Sequence, residues 1–274
     1  MVQVATVDWT EARAALGQAA ARFTAQLRTV ERPDAPALGR WNVAELATHV
    51  SHAFSVVPGL AGRTRESPLG GLWDLSAMTT DLVADDAERD LAVLADRIDA
   101  GAARFLEATA GAAGDDPCPW LVQGTALPLV TLTCHLLNEA VIHGYDIAAA
   151  TGQSWPIDPA HAALIFQGFL LEVFQVVDPR TFVVQERAAG LHACFDVRLR
   201  GAGRFFLVFA DGAMTVEAPS NRRVDCHLSA DPSAFLLVAW ARTSQWRAIP
   251  KGQLVAWGRR PWLGLRFRGL LRNP

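Results

Sequence analysis

WNVAELATHV at residues 41–50 and NEAVIHGYD at residues 138–146 decide how this chain is read. In the first stretch Asn42 is a good N-cap, Glu45 stands where a capping box needs it, and Trp41 can staple onto Leu46. A helix therefore starts at 42, and His49 falls about two turns in, on the face that carries Leu46 and His52. In the second stretch Glu139 and His143 are four apart, so on a helix they project from one face. Together His49, Glu139 and His143 are two imidazoles and a carboxylate, a set that holds a divalent metal tetrahedrally and leaves one position open, as catalytic zinc sites do. Glu and His four apart are also frequent without a metal, and a lone helical histidine is usually a core or surface residue. Spacing by itself leaves both readings open.

Apolar positions recur at helical spacing over 8–29, 42–57, 83–110 and 130–150, with Leu91, Leu94, Ile98 and Phe105 the clearest stripe. Four such helices suggest a bundle. GLAGRTRESPLGGL and GAAGDDPCPW are Gly/Pro-rich connections, the first long enough to lie near a site mouth. A further helix is expected over 159–177, carrying Ala162, Ile165, Phe169 and Phe174, until Asp178-Pro179 breaks it. The domain boundary is drawn there, giving 1–178 and 179–274.

Beyond the break the pattern turns to period two. HACFDVRLR, GRFFLVFA, AMTVEAP and RVDCHLS read as strands, with a hairpin turn at Asp211-Gly212. Asp231 caps a helix through SAFLLVAWAR with Pro232 at N1, QLVAWG reads as an edge strand, and PWLGLRFRGLLR as a closing amphipathic helix. The fold class is α+β: an N-terminal four-helix bundle followed by a smaller α+β domain.

At 274 residues, 51% of them hydrophobic and 19% charged, the chain is long enough for two cores. No unbroken apolar stretch reaches the roughly 18 residues of a membrane span. MVQVATVDWTEARAAL lacks the basic start and apolar centre of a signal peptide, so a cytoplasmic protein is expected. Cys118, Cys134, Cys194 and Cys226 have no CxxC or finger spacing, which favours buried reduced thiols over disulfides. From Pro232 to Pro274 there is no acidic side chain, whereas Arg242, Arg247, Lys251, Arg259, Arg260, Arg266, Arg268 and Arg272 are basic. Their dispersal favours a solvated face over a polyanion site, and no nucleic-acid partner is expected. A narrower reading has one or two arginines holding a substrate carboxylate.

WNVAELATH and NEAVIHGYD resemble the mycothiol-dependent maleylpyruvate isomerase family, part of the wider DinB-like metal-binding four-helix bundles: a Trp-led helix with its His, then Glu-x3-His-x2-Asp. Tyr145 stands where that family usually has Trp. DPSAFLLVAW and KGQLVAWGRRPWLGLRF resemble, more loosely, the sterol-carrier-protein-like domain that follows the bundle in many members. The resemblance implies that His49, Glu139 and His143 bind zinc or another divalent metal. It also implies mycothiol as the cofactor thiol and cis-to-trans isomerisation of maleylpyruvate: the thiolate adds, the single bond rotates, and elimination restores the alkene. Other relatives look like thiol S-transferases. The partners implied are a small electrophilic substrate and a low-molecular-weight thiol. Two other classes compete, a hydrophobic-ligand binding protein with an idle bundle and a metal-free biosynthetic enzyme, because function belongs to the site and not the fold.

Secondary candidates surround these residues. His135, four before Glu139, is read first as a buried outer partner and second as a fourth ligand or proton shuttle; His52 has the same status. Asp146, three after His143, can orient that imidazole, cap a helix end or face solvent. His161, His192 and His227 lie outside the bundle pattern and are assigned no role.

Overall fold

The computed structural model describes residues 7–272; the first six residues, part of the stretch read above for a signal peptide, and the last two lie outside it. The described residues form two compact units, Val7–Ile157 and the chain from Asp158 onward.

The first unit runs α1 (Trp9–Leu27), β1 (Pro36–Leu38), β2 (Trp41–Asn42), α2 (Val43–Ala61), α3 (Leu75–Asp85), α4 (Leu91–Ala108), β3 (Pro117–Pro119), β4 (Ala126–Pro128) and α5 (Leu129–Thr151). α1 packs on α4 and α5, and α2 packs on the same two, so the four expected helices close a bundle. Its centre is made of Leu16, Phe23, Leu46, Phe54, Leu94, Ile98, Phe105 and Leu136, all without solvent exposure. Each such side chain contributes about 1.5–3 kcal/mol by leaving water. Pro58 lies inside α2, which runs past the expected end at 57. Pro58 has no N–H for the carbonyl of Phe54. Gly101 of α4 backs against that same carbonyl, and a Cβ there would collide with it.

The stretch 83–110 is two helices rather than one. α3 ends at Asp85, Asp86 is extended, and α4 starts beyond Asp90, whose carboxylate accepts the N–H groups of Ala92 and Val93 at 2.8 and 3.3 Å. Asp86 also accepts the N–H of Glu88 at 3.0 Å. Acidic side chains here take over backbone donors that a continuous helix would use, and the apolar period runs across the joint unbroken.

The second unit begins with α6 (Pro159–Ile165), a π turn at Phe166–Leu170, and α7 (Leu171–Val176). It continues with α8 (Gln185–Ala188), β5 (Ala193–Leu199), β6 (Arg204–Ala210), β7 (Ala213–Glu217), β8 (Cys226–Ala230), α9 (Pro232–Ala239), α10 (Gln245–Ala248), β9 (Leu254–Trp257) and α11 (Trp262–Leu270). The sheet order is β7-β6-β5-β8-β9, antiparallel except for β5 beside β8, and β9 is an edge as expected. Asp211 and Gly212 both have positive φ, 52° and 74°, the backbone that a tight two-residue hairpin demands. Phe195 of β5 meets Phe267 of α11, which stacks on Phe235 of α9. Phe166 stacks on Phe235 with centroids 4.9 Å apart, so this helical stretch joins the second unit, ahead of the boundary drawn at Asp178. Pro159–Val176 also has the length and mean hydropathy, 1.2, of a membrane-spanning helix, yet 56% of it is buried in the protein, as in a core helix.

Candidate metal centre

α2 and α5 pack side by side, and this brings together the three residues singled out in the sequence. The expected capping box forms: Asn42 accepts the N–H of Glu45, and Glu45 accepts the N–H of Asn42, both at 2.9 Å. α5 is buried almost all round, so His135, Asn138, Glu139, His143 and Asp146 have little access to water and must find partners within the fold.

His49 Nε2 and His143 Nε2 lie 3.3 and 3.4 Å from the same oxygen, Oε2 of Glu139. One ligand atom from each residue falls within 4.8 Å of the others, and the two imidazoles meet edge to face at 5.1 Å. Glu139 Oε2 is buried and has no hydrogen-bond partner despite those two nitrogens. An unmet buried acceptor of this kind costs about 1–3 kcal/mol. Two ring nitrogens and a carboxylate oxygen that converge without a well-formed hydrogen bond leave an arrangement that a cation would satisfy. One carboxylate and two imidazoles suit zinc and several other first-row divalent ions, so the residues present fit such a group.

The electrostatics follow from burial and charge. Burial works to raise the Glu139 carboxyl, but His135, His143 and His49 outweigh it and hold the group well below the usual carboxylate range. Burial depresses His143, but the hydrogen bond to Asp146 and the contact with Glu139 prevail and lift it to about 9. His49 is pulled down by burial, with Glu139 offsetting only part of that.

Asp146 Oδ2 lies 3.0 Å from His143 Nδ1, the orienting role considered for it. His135 Nε2 sits 3.6 Å from the other oxygen of Glu139, beside the cluster, with the Trp120 ring at 6.4 Å. His52 turns elsewhere: its Nε2 pairs with Asp86 at 2.9 Å, and Arg97 reaches the same carboxylate oxygen at 2.7 Å. In the second unit His227 bonds the fully buried Asp196 at 2.6 Å, together with Arg198 and Arg204, while His192 is exposed. Trp41 is the contributor that sequence reading missed. Its ring, expected on Leu46, stacks on His49 at 5.2 Å. Trp41 and His49 are joined through a strand-to-helix corner, and no helical or strand period links them. Only the tryptophan's place just before the cap marked it.

Residues 9–148 match the family model of the mycothiol maleylpyruvate isomerase N-terminal domain. The chain belongs to that family. Within this mycothiol maleylpyruvate isomerase family member, residues 176–261 further match the SCP-2 sterol transfer family. The crystal structure of a mycothiol-dependent maleylpyruvate isomerase aligns over 93% of this chain and 95% of that one, with a TM-score of 0.55 and 14% identity. A variant of that isomerase with one histidine changed to alanine aligns with the same figures. At this identity the likeness is one of fold, and it agrees with a helical N-terminal domain followed by a sterol-carrier-like domain. No curated protein matches the chain.

Proposed function

We propose that this chain is a metal-dependent enzyme that presents a low-molecular-weight thiol, mycothiol, to a small electrophile, with the isomerisation of maleylpyruvate as the first reaction to test and S-transfer as its alternative. The observation that carries the reading is the buried convergence of His49, Glu139 and His143 around a carboxylate oxygen with no hydrogen-bond partner. Zinc, or another divalent ion, would supply there a Lewis acid with an open position, at which a thiol loses its proton near neutral pH. Glu139 contributes the negative charge. Asp146 accepts the Nδ1–H of His143 and so turns that ring's Nε2 toward Glu139. Trp41 fixes the plane of His49.

The chain's own thiols are poor nucleophiles. All four are buried, and burial pushes Cys118, Cys194 and Cys226 up to about 11 and Cys134 up to about 12. This favours a thiol brought from outside and a cytoplasmic setting in which such thiols are kept reduced. A second reading has its own support: an apolar cavity of about 500 Å³ in the second unit, lined by Phe235, Val238, Ile249, Leu254 and Phe267, suits a hydrophobic ligand.

Metal content and maleylpyruvate turnover, measured with and without mycothiol, test the proposal. Stoichiometric metal and thiol-dependent turnover are expected, both abolished by His49→Ala, Glu139→Ala or His143→Ala. Turnover without any thiol, or no metal uptake from an excess, would overturn it.

A further inference from the structure

Two of the three proposed ligands have a support of their own: Trp41 stacks on His49, and Asp146 holds His143. For the third, Glu139, the neighbour to consider is His135. On α5, His135 and His143 stand one turn to either side of Glu139, so they lie about 12 Å apart along the helix axis with the carboxylate between them. Its two oxygens divide accordingly. Oε2 faces His143 Nε2 at 3.4 Å and, from α2, His49 Nε2 at 3.3 Å, whereas Oε1 faces His135 Nε2 at 3.6 Å.

His135 stands apart from the ligand set itself. His49, Glu139 and His143 each bring one ligand atom within 4.8 Å of the others, and His135 is not among them. Helix geometry gives the reason: each step of four residues turns the side chain by about 40°, so a stripe of three cannot aim at one point. The His135 ring is buried, and the buried Trp120 meets it edge to face at 6.4 Å. Burial works to raise the Glu139 carboxyl, and of the imidazoles that bring it down His135 is the foremost.

We infer that His135 is a positioning residue for Glu139: by donating its Nε2–H to Oε1 it keeps the carboxylate to a single ligand oxygen, Oε2, and so preserves the open position that a thiol would take. The inference rests on the metal-dependent reading proposed above and deepens it. A carboxylate free at both oxygens can turn and bind an ion through the pair, as carboxylates do in many metal sites. In a site of two imidazoles and one carboxylate that second oxygen would fill the fourth position and leave no room for sulfur. The 3.6 Å contact is longer than a formed hydrogen bond, and it shortens to one when Oε2 is drawn onto an ion.

Cobalt(II) bound to the full chain tests it, because the intensity of its visible bands reports coordination number and its paramagnetic NMR spectrum counts ligating imidazoles. The parent is expected to show the intense bands of a four-coordinate ion and two shifted, exchangeable ring N–H signals, from His49 and His143. In His135→Leu the bands weaken severalfold as a second carboxylate oxygen enters, and cobalt affinity falls about 10- to 100-fold. Added mycothiol then no longer produces the sulfur-to-cobalt absorption that it gives in the parent. His135→Gln, which keeps a donor in that place, retains the parent spectrum. A parent that takes up no cobalt would sink the metal reading and this inference together. Four other results overturn the inference alone: a third ring N–H signal, weak five-coordinate bands in the parent, a His135→Leu spectrum identical to the parent's, or a His135→Gln spectrum that departs from it. The two parent measurements and His135→Gln decide the matter even where His135→Leu fails to fold.

Discussion

The indole of Trp41 lies over the imidazole of His49, with planes 29° apart and centroids 5.2 Å apart. The partner imidazole, His143, is held instead by the hydrogen bond to Asp146. The two proposed nitrogen ligands are thus aimed by different forces, one by stacking on a ring and one by a charged acceptor. Trp41→Ala is expected to free the His49 ring and weaken metal binding about tenfold, while Trp41→Phe keeps most of the affinity. A competition titration against a chromophoric chelator measures both.

Asp146→Asn removes the charge behind His143 and keeps the volume. Metal affinity is expected to fall about 10- to 100-fold, the usual range for the partner of a ligating histidine. In the metal-free protein the NMR titration of His143 moves down from about 9, because one of the groups that favours its protonated form is gone. A midpoint that stays in place would show that Glu139 alone sets it.

Gly101→Ala inserts a methyl group where α4 meets the Phe54 carbonyl of α2. Overpacking at such a contact costs about 1–3 kcal/mol, read as a lower thermal unfolding midpoint. The proposed metal centre should suffer as well, since α2 carries His49. Gly111→Ala, with open space around its Cβ position, is the matched control.

Asp86 sets an acid limit on the bundle. Burial works to raise its carboxyl, but the N–H of Glu88, His52 and Arg97 bring it down to about 2. A carboxylate depressed in the folded state contributes stability above its unfolded value near 4 that is lost as pH falls through 2. Asp86→Asn is expected to cost about 1 kcal/mol at neutral pH, allowing for solvent screening, and nothing below pH 2. Denaturant unfolding at neutral and strongly acidic pH would reveal the difference. An equal loss at both would assign Asp86 a purely packing role.

Much of this was legible in the chain itself. Asn42 and Glu45 marked the start of α2, the period-two runs gave the strands of the large sheet, and the spacing of Glu139 and His143 pointed to the cluster proposed as a metal centre. What escaped is informative. The joint at Asp86–Asp90 interrupts the backbone without interrupting the apolar period, because acidic side chains bond the chain locally there. β1 with β2 and β3 with β4 are only two or three residues long, too short for any alternation to register. Arg187 of α8, Arg247 of α10 and Arg266 of α11 line one groove through turns that bring distant positions together, and spacing along the sequence carries no trace of it.

The packing of the four cysteines has one more result. Under the proposed function the substrate is an electrophile, a class of molecule that seeks out soft thiols and free amines. Here every sulfhydryl is enclosed, and Lys251 is the single lysine in 274 residues. Self-modification of that kind would find few thiol or lysine targets on this chain.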